Sequence, residues 1–221
     1  MGKYLIINTG SASKKYALFS VGTDGLVEEF MLHLEKDGSD LIATAKTGNA
    51  ENKSVISPEQ YDAALSYLLD SLVSGKLIQS NSEVSVVGLR VVAPGSYFLS
   101  HQIIDDEYLE KLKESKETAP LHIEPALHEL DQLKVLLPSV KIFGVSDSEF
   151  YKTMPPNAKL YGLPGAVSSE FDVYRYGYHG ISMKSVLAKV KNIMGKLPSK
   201  IIICHLGGGS TISAIKDGKA L

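Results

Sequence analysis

The sequence predicts an α/β protein. Apolar runs of strand length alternate with segments of helical periodicity from Tyr4 to the last residues of the chain. Two of these runs, residues 5–7 and 201–204, each lead into a glycine-containing turn and then into a second alternating segment, which is typical of hairpins. Strands and helices that alternate over the whole length favour a mixed α/β architecture.

Composition limits the classes of function. The chain has 221 residues, of which 44% are hydrophobic and 22% charged, so it can bury a core in one or two domains. A net charge of −2 gives no reason to expect a nucleic-acid partner. No stretch is long enough to span a bilayer or to serve as a secretory leader, so we expect a cytoplasmic protein without a membrane partner. The single cysteine, Cys204, cannot form an internal disulfide, and we expect a small buried residue rather than a nucleophile.

The first half of the chain reads as strands followed by a helix. Residues 27–34 supply a third strand after the first hairpin, and the polar residues 37–57 are expected to form a surface loop. Ser57 and the proline after it predict the start of a helix that continues to Leu72. Residues 84–92 then read as a buried strand, which Pro94-Gly95 ends.

The second half predicts three more helices and another strand. Residues 105–115 and 125–136 are amphipathic, and residues 141–145 form a short apolar strand. Residues 153–168 are rich in proline and glycine and are expected to link two lobes, before a helix from Ser182 to about Met194.

The glycine turns are candidate phosphate sites. Gly207, Gly208 and Gly209 would let backbone N–H groups approach an anion, with Ser210 or Thr211 adding a hydroxyl. The first hairpin repeats this plan, since Gly10 matches Gly207 and Ser13 matches Ser210. Two such hairpins predict related halves that face a shared phosphate-bearing ligand, although ordinary hairpin turns also use glycine.

Three polar residues stand out from their surroundings. Arg90 interrupts an apolar strand, so it either pairs with an internal carboxylate or faces a ligand. Asp147 follows a buried strand, where ligand groups collect, but Ser146 or Asp147 could equally cap a helix. His179 lies between aromatic residues and glycines at a helix entry, where a structural role competes with a catalytic one.

Several short motifs in one order give a more specific signal than any single residue, and together they resemble the acetate kinase family of carboxylate phosphotransferases, in the sugar kinase, Hsp70 and actin superfamily. The motifs are Asn8-Thr9-Gly10-Ser11-Ala12-Ser13-Lys14-Lys15, Gly88-Leu89-Arg90-Val91-Val92, Ala119-Pro120-Leu121-His122, Asp147 with Phe150 and Thr153-Met154-Pro155, Leu160-Tyr161-Gly162-Leu163-Pro164, Arg175-Tyr176-Gly177-Tyr178-His179-Gly180, and His205-Leu206-Gly207 with Gly209-Ser210.

The resemblance implies an actin-like ATPase (ribonuclease H-like) lobe with a mixed sheet and flanking helices, plus the start of a second such lobe. Residues 1–147 would form the N-terminal carboxylate- and phosphoryl-binding lobe, and residues 148–221 the linker and the first, incomplete part of the nucleotide-binding lobe. Family members run to roughly twice this length, so we expect the N-terminal portion of a longer polypeptide. The adenosine pocket, a second catalytic arginine and an acidic residue near Mg²⁺ would follow residue 221.

The resemblance also implies a reaction, namely reversible transfer of the ATP γ-phosphoryl group to acetate or a similar short-chain carboxylate, which yields ADP and an acyl phosphate with the help of Mg²⁺. The full-length protein would pair as a homodimer. The implied catalytic residues are Arg90, Asp147 and His179; the substrate-binding residues are Arg90, Val92, Leu121 and Tyr178. Phosphate and nucleotide contacts would come from Asn8, Ser11, Ser13, Lys15, His205, Gly207, Gly208, Gly209 and Ser210, with Asn8 also near the metal.

The sequence departs from the family pattern at several positions where members usually carry a polar group. Those positions hold Leu89, Ala93-Pro94, Ile123, Tyr151, Met183 and Gly208. Each replacement removes a polar group, so we expect a drier site than is usual. The alternative function is therefore a non-catalytic or truncated relative that binds a ligand or partner chain without turnover.

Overall fold

The computed structural model describes residues 2–10, 13–23 and 25–221. Contacts between Cα atoms divide the chain into two compact units. The first unit comprises Met1–Val91 and Ile103–Gly144, and the second comprises Val92–Gln102 and Val145–Leu221. The predicted lobe boundary after residue 147 stays a prediction.

An eight-stranded sheet organises the first unit. Strands β1 to β5 form an antiparallel meander in which each strand pairs with the next, and β6 joins β1 in parallel. The strand order is β5-β4-β3-β2-β1-β6-β8-β7, so the sheet is mixed, as expected. The strands are β1 (Lys3–Thr9), β2 (Ser13–Gly22), β3 (Gly25–Asp37), β4 (Asp40–Thr47), β5 (Ala50–Ile56), β6 (Val84–Val91), β7 (Gln102–Ile103) and β8 (Lys141–Ser146).

The prediction of a surface loop over residues 37–57 is wrong, because this segment forms β4 and β5. The two strands lie at the outer end of the sheet, and most of their side chains are exposed. Only Ala43 and Ile56 are buried in them. A strand with so little apolar burial has a polar composition, which is why its sequence resembles a loop.

Four helices accompany this sheet: α1 (Pro58–Asp62), α2 (Ala64–Ser74), α3 (Asp106–Glu114) and α4 (Pro120–Leu136). The Ser57 hydroxyl accepts from the Gln60 amide at 3.2 Å while the Gln60 side chain accepts from the Ser57 amide at 2.9 Å, which confirms the predicted helix start. The predicted single helix is broken at Ala63. Helices α2 and α4 contribute buried aliphatic side chains to the core of this unit, namely Leu65, Leu68, Leu72, Ile123, Leu130 and Leu133.

A buried polar cluster of Lys14, Tyr16 and Glu129 lies in this core. The Tyr16 hydroxyl donates to Oε2 of Glu129 at 3.2 Å, and both residues are fully buried. The Lys14 ammonium donates to the carbonyls of Tyr61 and Asp62, at 2.8 and 3.4 Å, where α1 ends. A broken helix leaves carbonyls in need of donors, so Lys14 stabilises the break.

Burial dominates the electrostatics of this cluster. Desolvation raises the pKa of Glu129 to about 7, although the nearby Lys14 charge and the Tyr16 hydroxyl act in the opposite direction. The same desolvation lowers the pKa of Lys14, against the attraction of Glu129 and Asp62. Each charge is therefore costly in the folded state, and each reduces the cost of the other.

We predict that Glu129→Gln removes a pH dependence of stability. When the pKa of a carboxyl group is higher in the folded than in the unfolded state, the protein loses stability as the pH rises between those two pKa values, here from about 4.5 to about 7. The loss for the unmodified protein is on the order of 3 kcal/mol. Urea denaturation at pH 5, 6, 7 and 8 measures it. Glu124→Gln, an exposed site on the same helix, is the matched control, and equal slopes for both variants would contradict the prediction.

The second unit contains α5 (Pro156–Lys159), α6 (Gly165–Glu170), α7 (Gly180–Met194) and the strands β9 (Lys200–Leu206), β10 (Ser210–Lys216) and β11 (Lys219–Ala220). The strands form a sheet in the order β11-β10-β9. Its core joins one face of this sheet to α7 and to the turn at residues 149–153. The core residues are Phe150, Tyr151, Met183, Leu187, Ile203, Ile215 and Ala220.

The expectation of a buried Cys204 is wrong. Alternation along β9 directs Ile203 into the core and places Cys204 on the opposite, exposed face together with Ile202 and Leu206. The run of four apolar residues suggested burial on both sides, whereas only one face of the strand is covered.

Both predicted glycine-tipped hairpins are present. β1 ends at Thr9 and β2 begins at Ser13, while β9 ends at Leu206 and β10 begins at Ser210, so three residues separate the strands in each pair. In the first, the Gly10 amide donates to the Ser13 carbonyl at 2.9 Å; in the second, the Gly207 amide donates to the Gly209 carbonyl at 3.1 Å. None of the helices in the described part of the chain is both long and apolar enough to cross a membrane.

Candidate active site

In the first unit, Arg90 and Asn8 meet near the ends of two parallel strands. Arg90 is the penultimate residue of β6 and Asn8 that of β1, and these strands are neighbours in the sheet. The Arg90 Nη1 atom donates to Oδ1 of Asn8 at 3.1 Å. Both side chains are half-buried. The carboxyl ends of adjacent parallel strands thus bring together a guanidinium and an amide, which are groups that bind carboxylate or phosphate.

The other predicted residues of the first unit are spread around the same hairpin. Lys15 is exposed and lies opposite Asn8 in the β1–β2 pair, while Ser13 opens β2 and is half-buried. Ser11 lies outside the described residues. Leu121 is 71% exposed and, together with Gly10, lines a pocket of about 340 Å³. The structure therefore places the predicted alkyl-contacting Leu121 beside the first glycine turn.

In the second unit, Asp147 is a buried carboxylate at the entry to α7. Its Oδ2 accepts from the His179 amide at 2.8 Å, and its Oδ1 accepts from the Ile181 amide at 3.5 Å. Its main-chain carbonyl also accepts from the Gly180 amide at 2.8 Å. A negative charge at a helix N-terminus is stabilised by the unpaired amides there. Asp147 therefore serves the start of α7, rather than a helix that follows it directly in sequence.

The backbone on either side of Asp147 is anchored as well. The Ser146 amide donates to Nδ1 of His101 at 3.0 Å, and the Ser146 hydroxyl donates to the carbonyl of Phe98. The Ser148 amide donates in turn to the Ser146 hydroxyl at 3.1 Å. These contacts fix the turn that carries the carboxylate, so the position of Asp147 is determined by its neighbours.

His179 has an uncommon backbone conformation that Asp147 holds in place. Its φ of 62° and ψ of 24° lie in the left-handed region, which few residues with a Cβ adopt. The following residue must be glycine, because a Cβ at Gly180 would lie 2.5 Å from the Asp147 carbonyl oxygen and 2.8 Å from Cβ of Phe150. Close approach of Asp147 to α7 and the turn at His179 thus depend on each other.

Two imidazoles stack above this turn. The rings of His179 and His205 have centroids 4.1 Å apart and an interplanar angle of 13°. Nδ1 of His179 is hydrogen-bonded to the Thr211 hydroxyl at 2.8 Å, and Nδ1 of His205 is hydrogen-bonded to the Ser182 hydroxyl at 2.9 Å. Each ring is therefore held at its Nδ1 atom by a hydroxyl of its own, and the two rings lie nearly parallel.

The glycine turn at residues 207–209 lies against both rings. A Cβ added at Gly209 would be 3.2 Å from Cε1 and 3.4 Å from Nε2 of His179, and one at Gly207 would be 4.0 Å from Nε2 of His205. Gly208 and Ser210 are exposed beside them. The structure therefore places Gly209 near Nε2 of His179 and Gly207 near Nε2 of His205, with Gly208 and Ser210 adjacent to them in the chain.

Tyr178 and Val92, predicted to contact the substrate, also belong to the second unit. Tyr178 lines a pocket of about 390 Å³ with Tyr151, Tyr161 and Thr211 among its walls. Burial raises the pKa of the Tyr178 phenol, which keeps it uncharged. Val92 is half-buried and does not line this pocket.

Comparison with known proteins identifies the protein family of this chain. It matches the sequence profile of the acetokinase family over residues 3–221. The chain belongs to the acetokinase family. An acetate kinase of Desulfitobacterium hafniense (strain DSM 10664 / DCB-2) is 37% identical over 234 residues, which cover 99% of this chain and 56% of the relative. An acetate kinase of Oceanobacillus iheyensis is 33% identical over 224 residues, which cover 100% of this chain and 56% of the relative.

Solved structures of acetokinase relatives are similar to this one. A propionate kinase from Francisella tularensis subsp. tularensis SCHU S4 has a TM-score of 0.85 at 27% identity and matches all of this chain and 56% of its own. An acetate kinase from Porphyromonas gingivalis has a TM-score of 0.81 at 32% identity, with the same coverage. The prediction of an actin-like ATPase fold is confirmed, and the chain spans about half the length of the curated relatives it matches.

Most positions where this chain departs from the family pattern are in the protein interior. Leu89, Ala93, Ile123, Tyr151 and Met183 are buried, Pro94 is half-buried and Gly208 is exposed. The buried apolar side chains need no hydrogen-bond partner, and the Tyr151 hydroxyl is hydrogen-bonded to that of Ser213 at 2.7 Å, so these replacements suit the cores of their units. Whether they leave the site drier than in relatives stays a prediction.

The sequence motifs do not identify the residues that hold the site together. They indicate Thr211 only as a phosphate contact, and they point neither to Ser182, which holds His205, nor to His101, which holds the Ser146 amide. Thr211 lies directly opposite His205 in the β9–β10 pair, so strand register was the signal that could have placed it beside the histidines.

The described residues offer no cage for a metal ion. Within residues 2–10, 13–23 and 25–221, no three His, Cys, Asp or Glu side chains are grouped so that they could hold one. Mg²⁺ in phosphoryl-transfer enzymes is held largely by substrate phosphates, water and one or two carboxylates. The amide oxygen of Asn8 is a ligand type that Mg²⁺ accepts, and the role of Asn8 near the ion stays a prediction.

We predict that Gly180→Ala destabilises the second unit by about 1–3 kcal/mol, as overpacked buried sites do. The added methyl group would collide with the Asp147 carbonyl and Phe150, and relief requires moving the Asp147–α7 contact. Urea denaturation measures the loss. Gly165→Ala, where a Cβ meets nothing within 4 Å, is the control. If the two variants are equally stable, the close approach at Gly180 does not constrain this turn.

Proposed function

We propose that the full-length protein is an acetate kinase-like enzyme. It transfers the γ-phosphoryl group of ATP reversibly to acetate or a similar short-chain carboxylate, and the products are ADP and an acyl phosphate. The observation that carries this proposal is the acetokinase profile match over residues 3–221, together with relatives named acetate kinase and propionate kinase. The present chain covers about half of such an enzyme.

Phosphoryl transfer demands mainly positioning and charge stabilisation. The transferring group carries its charge on oxygen atoms, and catalysis comes from fixed donors around those oxygens and from holding the acceptor in line. Arg90 of the first unit meets this requirement, because its planar guanidinium can bind a carboxylate or a phosphate through two N–H donors. Its hydrogen bond to Asn8 restrains it before any ligand binds.

The second unit supplies the complementary parts. We assign His179 to charge stabilisation on the phosphoryl oxygens, and His205 with the turn at residues 207–209 to the nucleotide phosphates. Asp147 is the positioning residue for His179, because its carboxylate holds the amide of that residue. Mg²⁺, arriving on the nucleotide, would neutralise part of the phosphate charge.

We propose that apolar side chains limit the size of the acid that the enzyme accepts. Leu121, Val92 and Tyr178 would contact the alkyl group of the substrate. An apolar wall distinguishes acids that differ by one methylene only weakly, by roughly 10- to 200-fold. We therefore propose a preference among short acids rather than an absolute requirement for acetate.

The rival proposal of a non-catalytic binding lobe rested on the loss of family polar groups. Because five of those positions are buried in the interior, their replacement does not strip donors from the exposed glycine turn or from the histidine pair. The geometry favours the enzyme. We also propose that the full-length protein forms a homodimer in the cytoplasm, with residues 1–147 as the acid- and phosphoryl-binding lobe and residues 148–221 as the start of the nucleotide lobe.

Hydroxamate formation by the full-length protein tests the reaction. Acyl phosphates react with hydroxylamine, so ATP, Mg²⁺ and each of acetate, propionate and butyrate are supplied in turn. We expect product with at least one acid. Binding of an acid in calorimetry without product from any of the three would favour the non-catalytic rival.

We predict that Arg90→Ala and Asp147→Asn each lower kcat by on the order of 10²–10³-fold, measured at a temperature at which circular dichroism shows both variants to be folded, because each removes a charge that positions reacting groups. Arg90→Lys, which keeps the charge and loses the planar fork, should be intermediate. Asp131→Asn, an exposed site on α4, is the control for the Asp change. Unchanged acyl phosphate formation in either variant would remove that residue from the catalytic group.

A further inference from the structure

We propose that Thr211 and Ser182 are positioning residues that set the tautomers of His179 and His205, so that two neutral imidazoles present parallel Nε2–H donors toward the glycine turn. This inference rests on the proposed phosphoryl transfer. It names the side chains that prepare the site for an oxyanion of a phosphate group.

The two histidines are held in the same way. Each Nδ1 atom lies within 2.9 Å of a hydroxyl oxygen, from Thr211 for His179 and from Ser182 for His205. The hydroxyls come from different elements, β10 and α7, and the rings they hold are nearly parallel. Each ring is thus restrained at its Nδ1 edge by a hydroxyl of its own.

The other edge of each ring faces the turn at residues 207–209. The Cβ positions that the glycines lack lie 3.4 Å from Nε2 of His179 and 4.0 Å from Nε2 of His205. A side chain at Gly209 would press on the His179 ring. The absence of side chains there leaves both Nε2 edges next to the backbone that we propose binds phosphate.

Chemistry selects one of the two possible tautomers. If Nδ1 carried the proton, it would donate to the hydroxyl, and a lone pair on Nε2 would face the anion and repel it. If the hydroxyl donates to Nδ1, the proton lies on Nε2 and each ring is a donor toward phosphate oxygens. The second arrangement matches a site for developing negative charge, since donors fixed in advance need no reorganisation during the reaction.

The stacking explains why neutral rings suit this task. With centroids 4.1 Å apart, two imidazolium ions would repel each other. Two neutral rings with Nε2–H groups provide two donors without that repulsion. By selecting the Nε2–H tautomer, the two hydroxyls thus provide two hydrogen-bond donors at a separation where two positive charges would repel each other.

We test this in the full-length protein with Thr211→Val, which replaces the hydroxyl by a methyl group of similar size, and Thr211→Ser, which restores the hydroxyl. Thr47→Val, on the exposed β4 strand, is the matched control. We expect Thr211→Val to lower kcat by about 10-fold with little change in KM, which is less than complete loss of one oriented donor costs, because some of the His179 rings keep the Nε2–H form. Thr211→Ser and Thr47→Val should retain the unmodified kcat.

A spectroscopic readout separates positioning from stability. Two-bond ¹H–¹⁵N spectra report the tautomer of each histidine, and the His179 signals are assigned by their loss in His179→Gln. We expect the Nε2–H form in the unmodified protein and a mixture of tautomers in Thr211→Val. Ser182→Ala should shift the His205 tautomer in the same way and raise the KM for ATP, so the proposal stays testable if Thr211→Val fails to fold.

The possible outcomes are distinct. Unmodified kcat and an unchanged His179 tautomer in Thr211→Val would overturn the inference while the kinase proposal stands. An unmodified protein without hydroxamate formation would overturn the kinase proposal, and the tautomer measurements would then decide the positioning role by themselves. An Nδ1–H tautomer in the unmodified protein would also overturn the inference.

Discussion

The second unit depends on one electrostatic contact, that between the Asp147 carboxylate and the amides at the start of α7. A buried carboxylate is expensive unless donors surround it, and a helix N-terminus offers donors that have no partner within the helix. Each group satisfies the other. The contact also stabilises the left-handed backbone of His179, which would otherwise be unfavourable. A single interaction thus links the end of β8, the start of α7 and the backbone that carries the imidazole of His179.

The first unit uses charge differently. Its sheet brings Arg90 and Asn8 to the ends of adjacent strands, where a ligand can reach them, while the charges of Lys14 and Glu129 are enclosed in the core. The ammonium of Lys14 supports the end of α1 through the carbonyl of Tyr61. The same unit therefore contains one guanidinium placed for recognition and one ammonium placed for architecture.

Local sequence signals predicted the elements well where burial gives a clear pattern. Both hairpins, the strand with Arg90 and the start of α1 at Ser57 appear as expected. The outer strands β4 and β5 were missed because they bury few apolar side chains. The break at Ala63 depends on Lys14, far away in sequence, so no local pattern could reveal it.

The sequence motifs predicted which residues belong to the site, but they did not predict which residues contact one another. The motif residues pointed to phosphoryl chemistry, yet the hydrogen bond between His179 and Thr211 joins positions 32 residues apart and arises only from packing. Lys14 did carry a readable signal, because it shares the inward face of β2 with Tyr16 and Leu18. Glu129 likewise follows the helical spacing of Ala126 and Leu133 on the buried face of α4.

The enclosed Lys14–Glu129 pair has an evolutionary consequence. Each of the two charges lowers the cost of burying the other, so replacing one residue alone changes the free-energy cost of keeping the other. Lys14 also donates to the carbonyls of Tyr61 and Asp62, and Glu129 accepts from Tyr16, so apolar residues at both positions would leave those groups without these partners. The two sites should therefore show epistasis even though the residues lie in a strand and a helix far apart in sequence.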